Sequence, residues 1–200
     1  GTLHIYDILM ISTRILLDAY RKGYFPMSVA GTIEWYSPEQ RGVVPLDGFR
    51  IPKRLKRALK TSSFKTTVNR VFRDVITACA TRHAPAGNWI DGTILESYFA
   101  LHEIGYAHSI ETWHDNKLVG GLYGVSLHGA FFGESMFHTM PDASKVALVA
   151  LVTRLRQQNY RLLDIQWLTP HLKQFGAVEM PRSNYLKSLS DAMTCDCQFL

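Results

Sequence analysis

Gly133-Glu134-Ser135-Met136-Phe137, and thirty positions after Glu134 the run Asp164-Ile165-Gln166, decide the fold of this sequence. Both read as apolar strands carrying polar residues. Between them, Asp142 to Gln158 places Val146, Leu148, Val149, Val152 and Leu155 at helical spacing, which predicts a single helix. Asp164 and Gln166 are two apart and share one face of a strand, so strand, helix and strand bring a Glu, an Asp and a Gln together. Burying a carboxylate is costly unless it is hydrogen-bonded. The constellation is therefore either a satisfied structural network or a working site.

Upstream, His108–Trp113 and Lys117–Val125 have strand character and are joined by Asp115-Asn116, a hairpin connection. A third strand is expected over Ala130–Glu134. Gly120-Gly121 and Gly124 weaken the middle strand, which predicts a bulge or a close backbone approach. Downstream, a short helix around His171–Phe175, a strand near Val178–Met180 and a helix from Pro181 to about Leu189 complete an α+β pattern.

The N-terminal third reads differently. Ser12 caps a helix with Ile15, Leu16, Ala19 and Tyr20 on one face, and Gly23 stops it. Phe25-Pro26-Met27 leaves in an extended conformation, and Ile33-Glu34-Trp35-Tyr36 is a strand. Pro45 and Pro52 punctuate a connection into a basic segment. From Arg50 to Arg73 the chain carries Arg50, Lys53, Arg54, Lys56, Arg57, Lys60, Lys65, Arg70 and Arg73 with no acidic residue among them. Lys53, Lys56, Arg57 and Lys60 line one face of a short helix, and such a face attracts a polyanion. Thr66-Thr67-Val68 is a brief strand. Val71, Phe72, Val75, Ile76 and Cys79 form a helical stripe, and a loop over Arg82–Asn88 delivers Trp89 ahead of a helix capped by Asp91 and ended by Gly105. The expected division lies at residues 1–68, a small N-terminal domain with the basic segment, and 69–200, the domain that carries Glu134, Asp164 and Gln166.

Two hundred residues with a net charge of +5 are ample for a core, and no apolar run reaches the ~18 residues that cross a bilayer. A soluble, cytoplasmic protein without membrane contact is expected. The three cysteines make neither an even disulfide framework nor a CxxC metal site. Ser135 lacks the second glycine of a nucleophile elbow, and there is no H-E-x-x-H or Walker sequence. Nothing calls for a metal or a cofactor.

The succession of sheet, helix and strand is similar to acetyltransferase-like (GNAT-like) folds, in which an amine attacks an activated acyl group. The loop before the helix, His138-Thr139-Met140-Pro141-Asp142-Ala143-Ser144-Lys145, has no glycine turn to hold a pyrophosphate, so acyl-CoA is a poor acyl donor here. A phosphate-binding face beside such a core suggests an acyl group carried on nucleic acid.

Seven motifs make the resemblance specific. Ala19-Tyr20-Arg21-Lys22-Gly23-Tyr24-Phe25-Pro26, Trp35-Tyr36-Ser37-Pro38, the run from His102 to Glu111, Leu118-Val119-Gly120-Gly121-Leu122-Tyr123-Gly124, Gly133-Glu134-Ser135-Met136-Phe137, Ala143-Ser144-Lys145 and Leu163-Asp164-Ile165-Gln166 resemble the leucyl/phenylalanyl-tRNA–protein transferases in order, over about Ala19 to Leu189. The resemblance implies transfer of Leu or Phe, and less readily Met, from aminoacyl-tRNA to the N-terminal Arg or Lys of a protein, which marks that protein for the bacterial N-degron route. It implies an active-site network of Glu134, Asp164 and Gln166, with Gln166 and Asp164 orienting the amine and relaying its proton. It further implies Trp89 stacking on the terminal adenosine, a side-chain pocket of Leu122, Phe131 and Met136, and a tRNA-binding helix bearing Lys53, Arg54, Lys56 and Arg57. Met27 stands where members often carry a Trp, and the glycine-rich stretch before the first helix is missing, which implies an abbreviated small domain and a differently built adenosine site. Other readings are an acyl-CoA N-acetyltransferase, an RNA-binding module without catalysis, and a tRNA-dependent ligase with another acceptor.

Overall fold

A computed structural model describes residues 10–83 and 89–200. The elements run in chain order α1 (Thr13–Arg21), β1 (Phe25–Val29), β2 (Thr32–Tyr36), β3 (Gln40–Val43), α2 (Lys53–Thr61), β4 (Lys65–Val68) and α3 (Phe72–His83), then α4 (Gly92–Glu103), β5 (Ala107–His114), β6 (Lys117–Leu127), β7 (Ala130–His138), α5 (Ala143–Gln157), β8 (Leu162–Gln166), α6 (Pro170–Lys173), β9 (Val178–Pro181) and α7 (Arg182–Met193). Residues 84–88 of the expected loop lie outside the described residues. The α+β architecture is the expected one. β1 and β2 form a separate hairpin, and the other strands form one sheet in the order β4-β5-β6-β7-β8-β3-β9. Within it β7 and β8 are parallel, joined through α5, and the other neighbours are antiparallel. β3 and β4, both before residue 69, are strands of this large sheet.

Local chemistry accounts for most boundaries. Asp91 accepts a hydrogen bond from the Ile94 N–H and starts α4, while Gly23 and Gly105 end α1 and α4 at φ +86° and +89°, where a Cβ is disfavoured. Asp115 and Asn116 both have positive φ, as a tight hairpin joining right-twisted strands requires. In α1 the buried face is Leu16, Leu17 and Tyr20, and Ile15 points outward at 50% exposure. The helix is rotated by a residue from the expected stripe because it packs on both α4 and α7. β3 was not legible: Gln40-Arg41-Gly42-Val43 is too short to show alternation, and it is held by its pairing with β8 and β9. α7 runs on past Leu189 because Ala192 is also buried.

The sheet separates two apolar clusters. One lies under α1, α3 and α4 and includes Tyr20, Phe72, Tyr98, Tyr123 and Phe132. The other lies under α5 and includes Leu122, Phe131, Leu148, Leu151 and Leu163. Gly120 lets α5 approach the sheet, since an added Cβ would come within 2.6 Å of the Ala143 Cβ. Among the described residues no helix is long and apolar enough to cross a membrane.

Candidate active site

The site is built where β7 and β8 part company. Their register runs Ala130 with Leu162, Phe131 with Leu163 and Phe132 with Asp164, and pairing stops there. On the other side of β7, Gly124 pairs with Gly133 and Tyr123 with Ser135, so Glu134 is the extra residue of a β-bulge. The glycines of β6 predict irregularity on that strand, and Val119 is indeed inserted there, between Leu118 paired with Trp113 and Gly120 paired with Thr112; the bulge at Glu134 is a second one, on β7 opposite Gly124. A bulge re-aims side chains next to it. Glu134 is turned into the gap, and pairing resumes at Tyr123 with Ser135, which carries β7 on to His138 beyond its expected end at Glu134.

Gln166 bridges the gap. Its Nε2 donates to Glu134 Oε2 at 3.0 Å, while Tyr20 donates to Glu134 Oε1 and Tyr98 in turn donates to Tyr20. Burial lifts the Glu134 carboxyl to about 7, against the pull of the Tyr20 and Gln166 hydrogen bonds. Burial and the neighbouring carboxylate push the Tyr20 and Tyr98 phenols well above 10, so both remain donors.

Asp164 joins this network from behind. It is fully buried, and its Oδ1 accepts the Gln166 N–H at 2.8 Å. That bond holds Gln166 at φ +69°, a left-handed conformation costing about 1–3 kcal/mol for a residue with a side chain, and turns the chain out of β8. Oδ2 accepts from Arg41 Nη2 at 2.8 Å and from the Tyr185 hydroxyl at 2.5 Å, and Arg41 Nε lies 3.1 Å from Oδ1. Arg41 Nη1 donates to the Gly23 carbonyl at 2.8 Å, tying α1 into the same network. These donors occupy both oxygens of Asp164. The geometry fits a residue that positions Gln166 better than a carboxylate that receives a proton from substrate.

A cavity of about 460 Å³ opens over the gap. Glu134 and Gln166 line it; Asp164 does not. Its walls include the apolar Leu122, Met136, Leu148, Leu151, Leu163 and Ile165, and Met27 and Trp89 stand on it as well. Phe131, expected as a wall residue, is not in the lining; its ring occupies the space of the missing Gly124 side chain, one layer back. Tyr123 lines the cavity, yet its hydroxyl is buried with no hydrogen-bond partner among the described residues.

Sequence reasoning missed Arg41, Tyr185, Arg82, Trp167 and His171. Arg82, Trp167 and His171 line the cavity. Burial lowers the pKa of His171, helped by Lys145, Arg82 and His138, so its imidazole is held toward the neutral form. Tyr20 and Tyr98 were legible only as buried helix-face residues; the need of a buried phenol for a partner was the available signal. Arg41 gave none.

Lys53, Arg54, Lys56 and Arg57 are exposed on α2, which Leu55 anchors. The basic block is less uniform than its sequence suggests, because Arg73 pairs with Glu96 at 2.8 Å and Arg70 lies over the Trp113 ring.

The family model described as leucyl/phenylalanyl-tRNA protein transferase matches residues 43–190, and the model for the N-terminal domain of the same proteins matches residues 10–39. The chain belongs to the leucyl/phenylalanyl-tRNA protein transferase family. A leucyl/phenylalanyl-tRNA–protein transferase of Rhodopseudomonas palustris (strain HaA2) is 51% identical over 187 residues, covering 92% of this chain and 84% of that protein. One from Akkermansia muciniphila is 49% identical over 186 residues, covering 92% of this chain and 96% of that protein. Among solved structures, the C-terminal domain of a putative lysylphosphatidylglycerol synthetase from Agrobacterium fabrum shares the fold, with a TM-score of 0.52 and 12% identity over 92% of this chain and 70% of that one. In this leucyl/phenylalanyl-tRNA protein transferase family member, the Glu134–Gln166 bridge lies in the lining of a largely apolar cavity.

Proposed function

We propose that this cavity receives the aminoacyl end of leucyl- or phenylalanyl-tRNA and transfers the amino acid to the N-terminal Arg or Lys of a protein in the cytoplasm, labelling it for the N-degron route. The observation that carries the reading is one cavity holding an apolar wall, two polar side chains linked at 3.0 Å and an indole. Leu122, Met136, Leu163 and Ile165 take a Leu, Phe or Met side chain. Trp89 takes the terminal adenosine, with Met27 on the same wall. The exposed cations of α2 hold the tRNA backbone.

The ester is already activated, so the protein needs to supply orientation and modest proton movement. The acceptor's α-amine attacks the ester carbonyl, the new C–N bond forms, the C–O bond to the ribose breaks, and the proton lost by the amine ends on the ribose oxygen. Gln166 orients the amine. Glu134, with its carboxyl near 7, attracts the cationic acceptor and can hold a proton in transit. Asp164 acts through Gln166 and Arg41 acts through Asp164.

The test is incubation with leucyl-tRNA and a peptide beginning with Arg, beside the same peptide beginning with Ala, following labelled Leu. Transfer to the Arg peptide alone is expected. Tight tRNA binding without transfer to either peptide would favour a binding module or another acceptor.

A further inference from the structure

The wall of the side-chain pocket is two layers deep, and a residue from the far end of the chain closes the outer layer. Phe131 pairs with the cavity-lining Leu163 and packs in one cluster with Leu122, Leu148 and Leu151. Its ring lies over Gly124, where an added Cβ would come within 2.5 Å of it, so Phe131 has no room to slide along the sheet. Behind it lies Phe199, 4% exposed, with ring centroids 5.3 Å apart and planes 24° apart.

Phe199 is clamped. Its ring also stacks on His108 at 4.3 Å, the Arg154 guanidinium lies 5.4 Å from its centroid, and Arg154 Nη1 donates to its carbonyl at 2.7 Å. Residues 195–200 belong to no helix or strand, so these contacts hold the segment in place. Core packing is close and tolerates little change in volume, so a ring held behind Phe131 fixes how far Phe131 stands toward the cavity.

We propose that Phe199 is a specificity-determining residue: by backing Phe131 it sets the depth of the aminoacyl pocket and with it the discrimination between Leu and the longer Phe. This rests on the reading of the cavity as the aminoacyl site. Removing the Phe199 ring leaves a void into which Phe131 withdraws, and the deepened pocket favours Phe.

The experiment compares wild type, Phe199→Ala and Phe199→Leu in the full chain, measuring kcat/KM for leucyl- and phenylalanyl-tRNA with one Arg-initiated peptide, with a thermal melt of each variant. The Phe-to-Leu ratio is expected to rise roughly five- to tenfold in the Ala variant, a fraction of what one methylene can contribute to discrimination, and less in the Leu variant. Equal loss of both rates at an unchanged ratio would mean that Phe199 only supports the fold, and overturns the proposal. If the Ala variant does not fold, the ratio of the Leu variant decides alone. A wild-type protein that transfers neither amino acid would sink the aminoacyl reading itself, whereas an unchanged ratio in active variants sinks only the role of Phe199.

Discussion

Arg41 and Asp164, 123 positions apart, meet at 2.8 Å as an ion pair whose two side chains are each 1% exposed. The pair links β3 to β8, and through Gly23 and Gln166 it joins α1 to the cavity. A buried pair is a weak source of net stability when both partners are present, but losing one leaves an uncompensated charge in the core, at a cost of about 3–5 kcal/mol. Arg41→Met should lower unfolding free energy by that order in urea melts. Arg41→Met combined with Asp164→Asn should recover part of the loss, and a double variant as unstable as the sum of the singles would contradict this account.

Stability should fall with rising pH because of Glu134. Its carboxyl stands at about 7 in the fold and near the ordinary 4.5 in the unfolded chain. Between these values the folded protein keeps a proton that the unfolded chain has released, so the contribution is fully present below about pH 4.5 and is lost as pH rises through 7. A shift of this size corresponds to a loss on the order of 3 kcal/mol. Glu134→Gln should remove that slope in urea melts at pH 5 and pH 8; equal slopes in both proteins would count against it.

Tyr123 offers a stabilising substitution. Its buried hydroxyl has no partner among the described residues, and an unsatisfied buried polar group costs about 1–3 kcal/mol. Tyr123→Phe keeps the ring contacts with Phe72 and Tyr98 and should raise the unfolding free energy by about 1 kcal/mol. A drop in stability would mean that the hydroxyl is held by a group outside the described residues.

Met27 and Trp89 line the same cavity, one with a thioether and the other with an indole. Stacking on an aromatic is worth about 1–3 kcal/mol per base. Met27→Trp should tighten binding of an aminoacyl-adenosine analogue by about tenfold, and Trp89→Ala should weaken it by a similar factor, both read by calorimetry.

The cations of α2 appear in no ion pair among the described residues. Lys53→Ala with Arg57→Ala should weaken tRNA binding and lower the slope of log K against log salt by roughly one to two, the loss of two phosphate contacts. An unchanged slope would place the tRNA elsewhere.

The sequence by itself determined the order of elements from β5 to β8, the hairpin at Asp115-Asn116, the α4 cap at Asp91 and the candidate set Glu134, Gln166 and Trp89. These follow from periodicity, turn chemistry and motifs carried by neighbouring residues, and short-range physics is written in short stretches of chain. Tertiary structure alone decided that Glu134 is the bulged residue, that Asp164 is held by Arg41 and Tyr185, and that Phe131 lies behind the pocket wall with Phe199 behind it. Each of those depends on groups separated by many residues and on which of two strands absorbs an extra residue. Such choices are settled by the simultaneous packing and hydrogen bonding of the whole core, and no local pattern of residues encodes them.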